Sequence, residues 1–378
     1  MKNKKDKDYP FIVFSEEHYN PLGIIRSLGE NGINPIVIVV KSKIKITSKS
    51  KYVKTLHIVD TLEDGYNLLL EKYSGLTNKP FVFTSDDIIT KYLDERYEKI
   101  VDKFYFYNAG KAGNIEYYMN KYNICKLAEQ CGIPLAKTQV VEKGVIPDNL
   151  QFPIITKAIA STISDWKADS FICNNSDELI EAYKTIRSEK VLLQEYINKK
   201  NELCLDGFSY NKGNDVVVTI ASTYDYILPD TYSPLMTVDN FKDNELLDKI
   251  KKMFSIIGFE GIFSMEFLIG PNDELYFLEI NFRNSTWSYA STWSGNPLPV
   301  LWYKSMLGED ISLVEINKPF RAVVEFDDFR NRVKSGNMKM KEWLKDIFDC
   351  EVRYYFSRRD IRPFLSYILG CVKRRIFK

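Results

Sequence analysis

The sequence predicts a chain that begins as an α/β region and continues as an α+β region. Between residues 11 and 107, short apolar runs such as PIVIVV alternate with helical patterns, which is typical of a parallel sheet covered by helices. Two turn-rich stretches, Asn211–Asn214 and Gly270–Asp273, lie between β-rich segments. Each predicts an antiparallel hairpin.

The elements follow from apolar periodicity and from capping residues. The predicted strands span residues 11–14, 35–40, 52–59, 81–84, 104–107, 138–142, 152–157, 170–173, 191–197, 202–210, 215–223, 261–269 and 274–281. The predicted helices span residues 21–30, 62–73, 114–131 and 241–257, with two more capped by Ser85 and Asp86 and by Ser176. The N-terminal region has no GxGxxG sequence, and its SLGENG stretch lies at the end of a helix, whereas the dinucleotide-binding fingerprint lies at the start of one. We therefore expect a Rossmann-like N-terminal domain without that fingerprint.

The net charge of +1 conceals an uneven distribution of basic residues. Val352–Lys378 holds eight Lys and Arg against one Asp, a local charge of +7, which leaves −6 for residues 1–351. The near-neutral total argues against a general nucleic-acid binder. Asp360–Lys378 combines an apolar run with basic residues. Two interpretations stay open: a helix in peripheral contact with an anionic membrane, or a helix docked on the body with its charges in water.

Six scattered cysteines without a CxxC pair indicate reduced thiols. No run is long enough to form a signal-peptide core or to span a membrane, so we expect a cytoplasmic protein, peripheral at the inner membrane face if the tail binds lipid. The two histidines, His18 and His57, exclude a histidine-based zinc site. We expect both on the surface or in loops.

The strongest chemical signal lies in residues 261–285. Side chains at alternate strand positions share a face, so Glu279, Asn281 and Arg283 should point one way, with Glu266 returned beside them by the hairpin. Two carboxylates and an amide suit Mg²⁺, and a guanidinium suits charge that develops on phosphate or on a tetrahedral intermediate. By alternation alone, the same pattern also fits the solvated face of an ordinary hairpin.

An ordered series of motifs resembles the ATP-grasp ligase superfamily across residues 114–310. The motifs are Asn120-Lys121, CGIPLAKTQVV, FPIITK, VLLQEYI, glutamates seven residues apart at 195 and 202, and E-x-N-x-R with a glutamate thirteen residues upstream. NPLGIIRSLGENGI, FTSDD and NFRNSTWSYASTWSGNPLPVLWY resemble the D-aspartate-ligase-like and carbamoyl-phosphate-synthase-like subgroup.

The resemblance implies ATP and one or two Mg²⁺ ions as cofactors, and a role for each matched residue. The implied nucleotide-binding residues are Lys121, Lys157, Gln194, Glu195, Tyr196, Ile197 and Glu202. The implied metal ligands are Glu266, Glu279 and Asn281, and the implied catalytic residue is Arg283. The chain departs from the family in Ala158–Ser170, where a glycine-rich phosphate-covering loop is common but no glycine occurs.

The resemblance also implies a reaction, in which a small-molecule carboxylate and an amine are joined through an acyl-phosphate. The implied substrates are an amino acid and a cell-envelope or polysaccharide precursor; a kinase, a carboxylase and a non-catalytic scaffold stay open. Trp287, Tyr289 and Trp293 either line an acceptor pocket or pack the domain. We expect a Rossmann-like domain over residues 1–112, two ATP-grasp subdomains over 113–192 and 193–315, and a C-terminal extension over 316–378.

Overall fold

The computed structural model describes residues 9–157, 170–228 and 232–376, with side chains up to residue 372. Within these ranges the strands form three sheets, one parallel and two mainly antiparallel. This mixed α/β and α+β architecture confirms the predicted fold class. None of the described helices is long and apolar enough to cross a membrane.

The N-terminal sheet is parallel, with the strand order β3-β2-β1-β4. Its strands are β1 (Phe11–Ser15), β2 (Ile36–Val40), β3 (Thr55–Val59) and β4 (Phe81–Phe83). Its helices are α1 (Tyr19–Gly29), α2 (Leu62–Tyr73), α3 (Asp87–Asp94) and α4 (Tyr97–Ile100), with a 3₁₀ turn at Thr47–Lys49. The strand predicted at 104–107 is wrong, because only Tyr105 forms an isolated bridge, to Phe81.

The second sheet has the order β5-β8-β6-β7, and all its described pairs are antiparallel. Its strands are β5 (Thr138–Glu142), β6 (Ile154–Lys157), β7 (Ile172–Cys173) and β8 (Lys190–Glu195), with α7 (Ser176–Thr185) after β7. The Asn175 side chain caps α7 by accepting a hydrogen bond from the Glu178 N–H. The predicted cap, Ser176, is the first helical residue instead.

The third sheet holds both predicted hairpins and has the order β13-β12-β9-β10-β11-β14-β15. Its strands are β9 (Asn201–Tyr210), β10 (Asp215–Tyr224), β11 (Leu235–Asp239), β12 (Gly261–Ile269), β13 (Leu275–Asn281), β14 (Phe320–Val323) and β15 (Val352–Arg353). Neighbours are antiparallel except β14 and β15. Buried aromatic rings such as Phe208, Phe254 and Phe263 pack beneath it.

The single helix predicted over residues 114–131 is two helices, α5 (Asn114–Met119) and α6 (Lys121–Gln130). Asn120 breaks it, because its backbone is extended and its side chain accepts hydrogen bonds from the Tyr122 and Asn123 N–H groups. This capping satisfies donors at the start of α6. The remaining helices are α8 (Asn244–Ile257), α9 (Ser288–Trp293), α10 (Leu298–Met306), α11 (Glu325–Phe329), α12 (Met340–Phe348) and α13 (Arg362–Ile376), with a π-helical turn at Arg330–Lys334.

A buried ion pair attaches the C-terminal segment to α1. Arg26 and Asp360 are both shielded from solvent, and Arg26 Nε donates to Asp360 Oδ2 at 3.1 Å. The guanidinium also donates to the carbonyl oxygens of Tyr354, Tyr355 and Asp360. Asp360 in turn accepts from the hydroxyl of Ser50. Because each charge has several partners, removal of one leaves the other buried and uncompensated.

We therefore expect Arg26→Leu to lower the free energy of unfolding by about 3–5 kcal/mol. Urea unfolding followed by circular dichroism measures this difference, with Lys41→Leu as the control because Lys41 pairs with Asp60 at the exposed surface. A loss for Arg26→Leu no larger than that for Lys41→Leu would contradict the anchoring role of the buried pair.

Candidate active site

The β12–β13 hairpin brings the predicted metal ligands together. Glu266 lies directly opposite Glu279, and the register shifts immediately beyond this pair. Asn281 Nδ2 donates to Glu266 Oε1 at 3.2 Å, and Arg283 Nη2 donates to Asn281 Oδ1 at 3.1 Å. The alternation of side chains along β13 thus leads to one connected polar cluster, not four separate surface groups.

Negative charge accumulates on this face of the sheet. Burial raises the pKa of the Glu266 carboxyl well above its usual range, and the charges of Glu279 and Glu202 raise it further, against the opposing effect of Arg283. Facing carboxylates repel unless a proton or a cation lies between them. The donor set of two carboxylates and one amide therefore fits a hard divalent cation such as Mg²⁺.

No group of three or more His, Cys, Asp or Glu is arranged to hold a metal within the described ranges. The hairpin offers two carboxylates, and Mg²⁺ in nucleotide sites commonly uses one or two protein carboxylates together with phosphate oxygens and water. The cluster therefore fits a metal that arrives with a phosphate ligand better than a metal held by the protein alone.

Lys157 lies at the end of β6 and faces the same region. Burial, followed by the nearby charge of Lys121, lowers its pKa to about 8, while Cys125 and Glu279 act in the opposite direction. Its Nζ donates to Gln194 Oε1 at 2.7 Å, and Gln194 Nε2 donates to Thr138 Oγ1 at 2.9 Å. Two cations near each other and near Glu279 suit a polyanionic ligand that also binds a metal.

Gln194, one of the implied nucleotide-binding residues, lies in a strand. It lies inside β8, where its backbone pairs with β5 on one side and β6 on the other. Its side chain accepts the hydrogen bond from Lys157. Tyr196 and Ile197 follow the end of β8 and are half-buried, and the Tyr196 N–H donates to the Pro153 carbonyl.

The two glutamates seven residues apart have different surroundings. Glu195 accepts from the Gln151 N–H at 3.0 Å, outside the hairpin cluster. Glu202 is buried at the start of β9 and accepts from Lys199 Nζ. It contributes to the raised pKa of Glu266, so only Glu202 of the pair belongs electrostatically to the hairpin cluster. Lys121, the first residue of α6, is half-buried.

A cavity of about 210 Å³ lies beside Arg283, where β1 and β4 of the parallel sheet end. The chain runs from β1 outward to β2 and β3 and then returns to β4 on the other side of β1. Ligands of open α/β sheets bind at such a reversal, outside the carboxyl ends of the strands. The cavity is lined by Glu16, Glu17, His18, Asn20, Pro21, Ser85, Asp86, Asp87 and Arg283.

Arg283 connects this cavity to the hairpin. Its Nε and Nη2 donate to the two carboxylate oxygens of Asp87 at 2.7 and 2.9 Å, in a bidentate pair with the first residue of α3. The same Nη2 donates to Asn281. The guanidinium is therefore fixed between the cavity and the predicted metal ligands. There it can stabilise negative charge on a group that reacts between the two.

His18 is exposed in the loop before α1, as expected from the sequence, and it also lines the cavity. His18 caps α1, its Nδ1 accepting from the Asn20 N–H at 3.2 Å, and its side chain opens onto the cavity. Desolvation by the surrounding protein lowers its pKa to about 4, opposed by Asp327 and assisted by Arg283. The imidazole is therefore neutral at pH 7. His57 lies in β3, not in a loop, and contacts the Tyr73 hydroxyl.

Asp206 is a buried acidic residue of the site that the sequence did not single out. It is fully buried in β9 and accepts from the Ser285 and Ser288 hydroxyls at 2.6 and 2.8 Å. Burial raises its pKa to about 6, against those hydrogen bonds and Arg283. Asp206 thus holds the turn that follows Arg283. Alternation along β9 was the available signal, since Glu202 and Asp206 are four positions apart and share a face.

Two of the three aromatic residues named after Arg283, Trp287 and Tyr289, pack inside the domain. Trp287 is buried against Tyr354, with ring centroids 5.6 Å apart, and the Tyr289 hydroxyl donates to Glu30. Trp293 is 59% exposed. None of the three is among the described residues that line the cavity beside Arg283.

Several solved structures share this architecture. N5-carboxyaminoimidazole synthetase from Staphylococcus aureus has a TM-score of 0.66 at 16% identity, over 88% of this chain and 86% of that one. L-amino acid ligase from Bacillus licheniformis has a TM-score of 0.62 at 12% identity, over 83% and 79%. The chain has the ATP-grasp fold. An Aspergillus clavatus N5-carboxyaminoimidazole synthase in complex with ADP and 5-aminoimidazole ribonucleotide is also similar, with a TM-score of 0.63 at 14% identity over 84% and 82%.

The similarity in sequence covers less of the chain than the similarity in fold. No family model matches it. N5-carboxyaminoimidazole ribonucleotide synthase of Staphylococcus aureus strain COL is 28% identical over 153 residues, which is 39% of this chain. The match spans 38% of the length of that relative. This partial likeness agrees with the shared fold and does not assign a substrate to the chain.

The surroundings of Lys157 lead to a pH-dependent prediction. Because burial and Lys121 lower the pKa of Lys157 to about 8, its ammonium should be largely protonated at pH 7 and largely neutral at pH 9. NMR titration of ¹³C-dimethylated lysines should show one resonance with a midpoint near pH 8 that is lost in Lys157→Arg but retained in Lys126→Arg. A midpoint near the ordinary lysine value would contradict the proposed burial and proximity of the two cations.

Proposed function

We propose that this chain is an ADP-forming ligase that activates a carboxyl group with ATP and transfers the acyl group to an amine. The observation that carries the proposal is the facing pair Glu266 and Glu279, connected through Asn281 to Arg283. On an ordinary solvated hairpin face, Glu266 would be exposed to water. Here it is buried beside two other carboxylates, and both effects raise its pKa. A metal-bound polyphosphate removes that repulsion.

The residues divide between the nucleotide and the reacting groups. Lys121 and Lys157 hold phosphate oxygens as point charges, Tyr196 and Ile197 contact the adenine, and Glu202 binds the ribose. Glu266, Glu279 and Asn281 hold Mg²⁺, which neutralises phosphate charge when bound. Gln194 positions Lys157 through its side chain. Glu195 has the weakest support as a nucleotide ligand, because it accepts from the Gln151 N–H instead.

The chemistry requires two successive displacements. The bond between the γ-phosphorus and its bridging oxygen breaks as a carboxylate oxygen bonds to the phosphorus. The amine nitrogen then bonds to the acyl carbon, the carbon–oxygen bond breaks, phosphate leaves, and the nitrogen loses a proton. Arg283 stabilises the charge of both states from its fixed position against Asp87. Positioning and charge neutralisation account for the rate without a covalent enzyme intermediate.

The cavity of about 210 Å³ is the proposed acceptor site, because Arg283 forms part of its wall. Burial and the charge of Asp86 raise the pKa of Glu16 there. A carboxylate with a raised pKa is a better proton acceptor, and we assign to Glu16 the proton that the amine loses. His18 contributes a neutral imidazole that does not repel a cationic amine.

The charge of the cavity favours one acceptor class. Its described lining includes Glu16, Glu17, Asp86 and Asp87, whereas Arg283 is already paired with Asp87. Such a lining attracts an ammonium group and offers little to a phosphate monoester. An amino acid amine is therefore the preferred acceptor, joined to a carboxylate of a separate small molecule.

A second candidate is a ribonucleotide amine that is carboxylated at nitrogen. It is favoured by the curated relative, whose name is N5-carboxyaminoimidazole ribonucleotide synthase, and it requires the same activation chemistry with bicarbonate as the carboxylate. That name points to purine synthesis, so the cell-envelope precursor expected from the sequence has no support from the comparisons.

The expected boundaries at residues 112, 192 and 315 form part of this proposal, with the nucleotide between the second and third units and the acceptor beside the first. The glycine-free loop Ala158–Ser170 lies, apart from Ser170, outside the described residues. Within it, Ser161, Thr162 and Lys167 are the side chains that we assign to the phosphates in place of glycine N–H groups. The cytoplasmic location expected from the reduced thiols stays a prediction.

Glu279→Gln should lower ADP formation by about a hundredfold or more, because the metal site loses one of its two carboxylates. Coupled-enzyme detection of ADP measures the rate, and thermal unfolding checks that the fold is retained. Glu245→Gln is the matched control, since Glu245 is exposed on α8. Near-normal turnover of Glu279→Gln would count against the metal assignment.

Acceptor class can be tested with wild-type protein. One set of reactions contains Mg·ATP with a panel of amino acids and carboxylate donors. A second contains Mg·ATP with aminoimidazole ribonucleotide and bicarbonate. ADP and product mass are measured in both. We expect ADP release that requires both an amino acid amine and a carboxylate. Release only with the ribonucleotide and bicarbonate would favour the second candidate, and no release with any pair would favour a non-catalytic scaffold.

A further inference from the structure

Helix α13 has one docked face and one exposed apolar face. Tyr367 packs against Phe326 and Tyr355, with ring centroids 4.4 and 4.7 Å apart, and Phe364 also stacks on Phe326. On the other side, four residues form what we call the C-terminal apolar face: Leu365, Ile368, Leu369 and Val372, with exposed fractions of 49%, 36%, 61% and 47%.

The spacing of these four residues makes them a single surface. Positions separated by three or four residues are neighbours on a helix, and the set is spaced in this way from 365 to 372. Single exposed leucines are common and need no explanation. A continuous apolar stripe on a helix whose opposite side is already docked indicates a surface that contacts something apolar.

The charges within residues 352–378, which include this face, are mostly of one sign. Arg358, Arg359 and Arg362 are exposed, and Arg362 precedes Leu365 and Leu369 by three and seven positions, so it extends the same stripe. Asp360 is the only acidic residue in the last 27 residues, and it is buried against Arg26. The described part of this segment therefore exposes cationic side chains and no carboxylate.

Aromatic residues also connect the docked side of α13 to α12. The guanidinium of Arg353 lies 6.0 Å from the Phe348 ring centroid and 5.5 Å from that of Phe356. Phe356 contacts Phe364, at the start of α13, and Phe348 is 71% exposed. An exposed aromatic ring beside arginine is typical of residues at the membrane interface, where an apolar body meets polar head groups.

We propose that the C-terminal apolar face inserts into the surface of an anionic membrane, with Arg358, Arg359 and Arg362 on the lipid head groups. A fifteen-residue helix with one apolar face lies in the plane of the interface and does not span the bilayer. The clustered cations select a negatively charged lipid surface. The docked rings of Phe364 and Tyr367 keep the helix on the protein body, so membrane contact brings the whole protein to the surface. This inference is independent of the proposed ligase activity.

Flotation with vesicles tests the proposal on the full chain. Wild-type protein should float with vesicles containing about one third phosphatidylglycerol and remain unbound with phosphatidylcholine alone, because the contact requires anionic lipid. Leu365→Ser/Leu369→Ser should weaken binding at least about tenfold. Arg359→Glu/Arg362→Glu should weaken it at least about thirtyfold.

Matched controls separate this surface from general effects. Ile180→Ser changes an apolar residue of similar exposure on α7, and Lys99→Glu/Lys103→Glu makes the same change in net charge at exposed sites of the N-terminal region. Both should bind as wild type does. Point variants are preferable to a deletion that begins at Asp360, because that deletion would also remove the partner of Arg26.

A second measurement keeps the surface apolar and adds a fluorescent probe to it. Leu369→Trp should show a blue-shifted emission difference from wild type on addition of anionic vesicles, and quenching by brominated lipid. Absence of wild-type flotation together with absence of this shift overturns the proposal. Flotation that is equally weakened by the control variants also overturns it. So does a concentration-dependent dimer, seen by sedimentation equilibrium without vesicle binding, that Leu365→Ser/Leu369→Ser abolishes.

Discussion

The arrangement of the site depends on the position of one guanidinium. Arg283 leaves the end of the β12–β13 hairpin, makes two parallel hydrogen bonds to Asp87 at the start of α3, and donates a third to Asn281. A bidentate arginine–carboxylate pair fixes orientation as well as distance. The parallel sheet with its cavity and the hairpin with its carboxylates therefore meet at Arg283. Asp206 reinforces the arrangement from below, because it binds the two serines of the following turn.

The site places like charges close together, carboxylates beside carboxylates and one lysine beside another. Glu266 faces Glu279 and lies near Glu202, and its pKa rises as a result. Lys157 lies near Lys121, and its pKa falls. Both shifts have burial as their largest cause, and both would be reversed by a ligand that brings a cation to the carboxylates and anions to the lysines. A metal-bound polyphosphate has this charge pattern. The carboxylates of the hairpin would bind its metal and the two lysines its phosphates, so both groups support the same proposed function.

The sequence was sufficient for elements whose signals are local. Alternation identified the hairpin face, and period-two and helical patterns located most strands and α2, whose bounds agree with the prediction. The break at Asn120 was missed, because an asparagine within a helical pattern becomes a cap only when its side chain turns back to the following N–H groups. Asp87 could not be paired with Arg283 from sequence, since 196 positions separate them and only the tertiary fold brings them together. The position of His18 and Glu16 at the cavity likewise depends on where β1 and β4 end.

The C-terminal segment shows why net charge must be considered together with burial. Its only carboxylate, Asp360, is removed from solvent by Arg26, so the charge presented to the surroundings is more uniformly positive than the composition indicates. The two interpretations of the tail are also compatible: Tyr367 docks one side of α13 on the protein, while Leu369 remains exposed on the other. A helix docked in this way loses little conformational freedom when it meets a membrane, because its backbone is already ordered. Four exposed apolar side chains and a few exposed arginines can then produce measurable binding, whereas a disordered tail of the same composition would first have to fold.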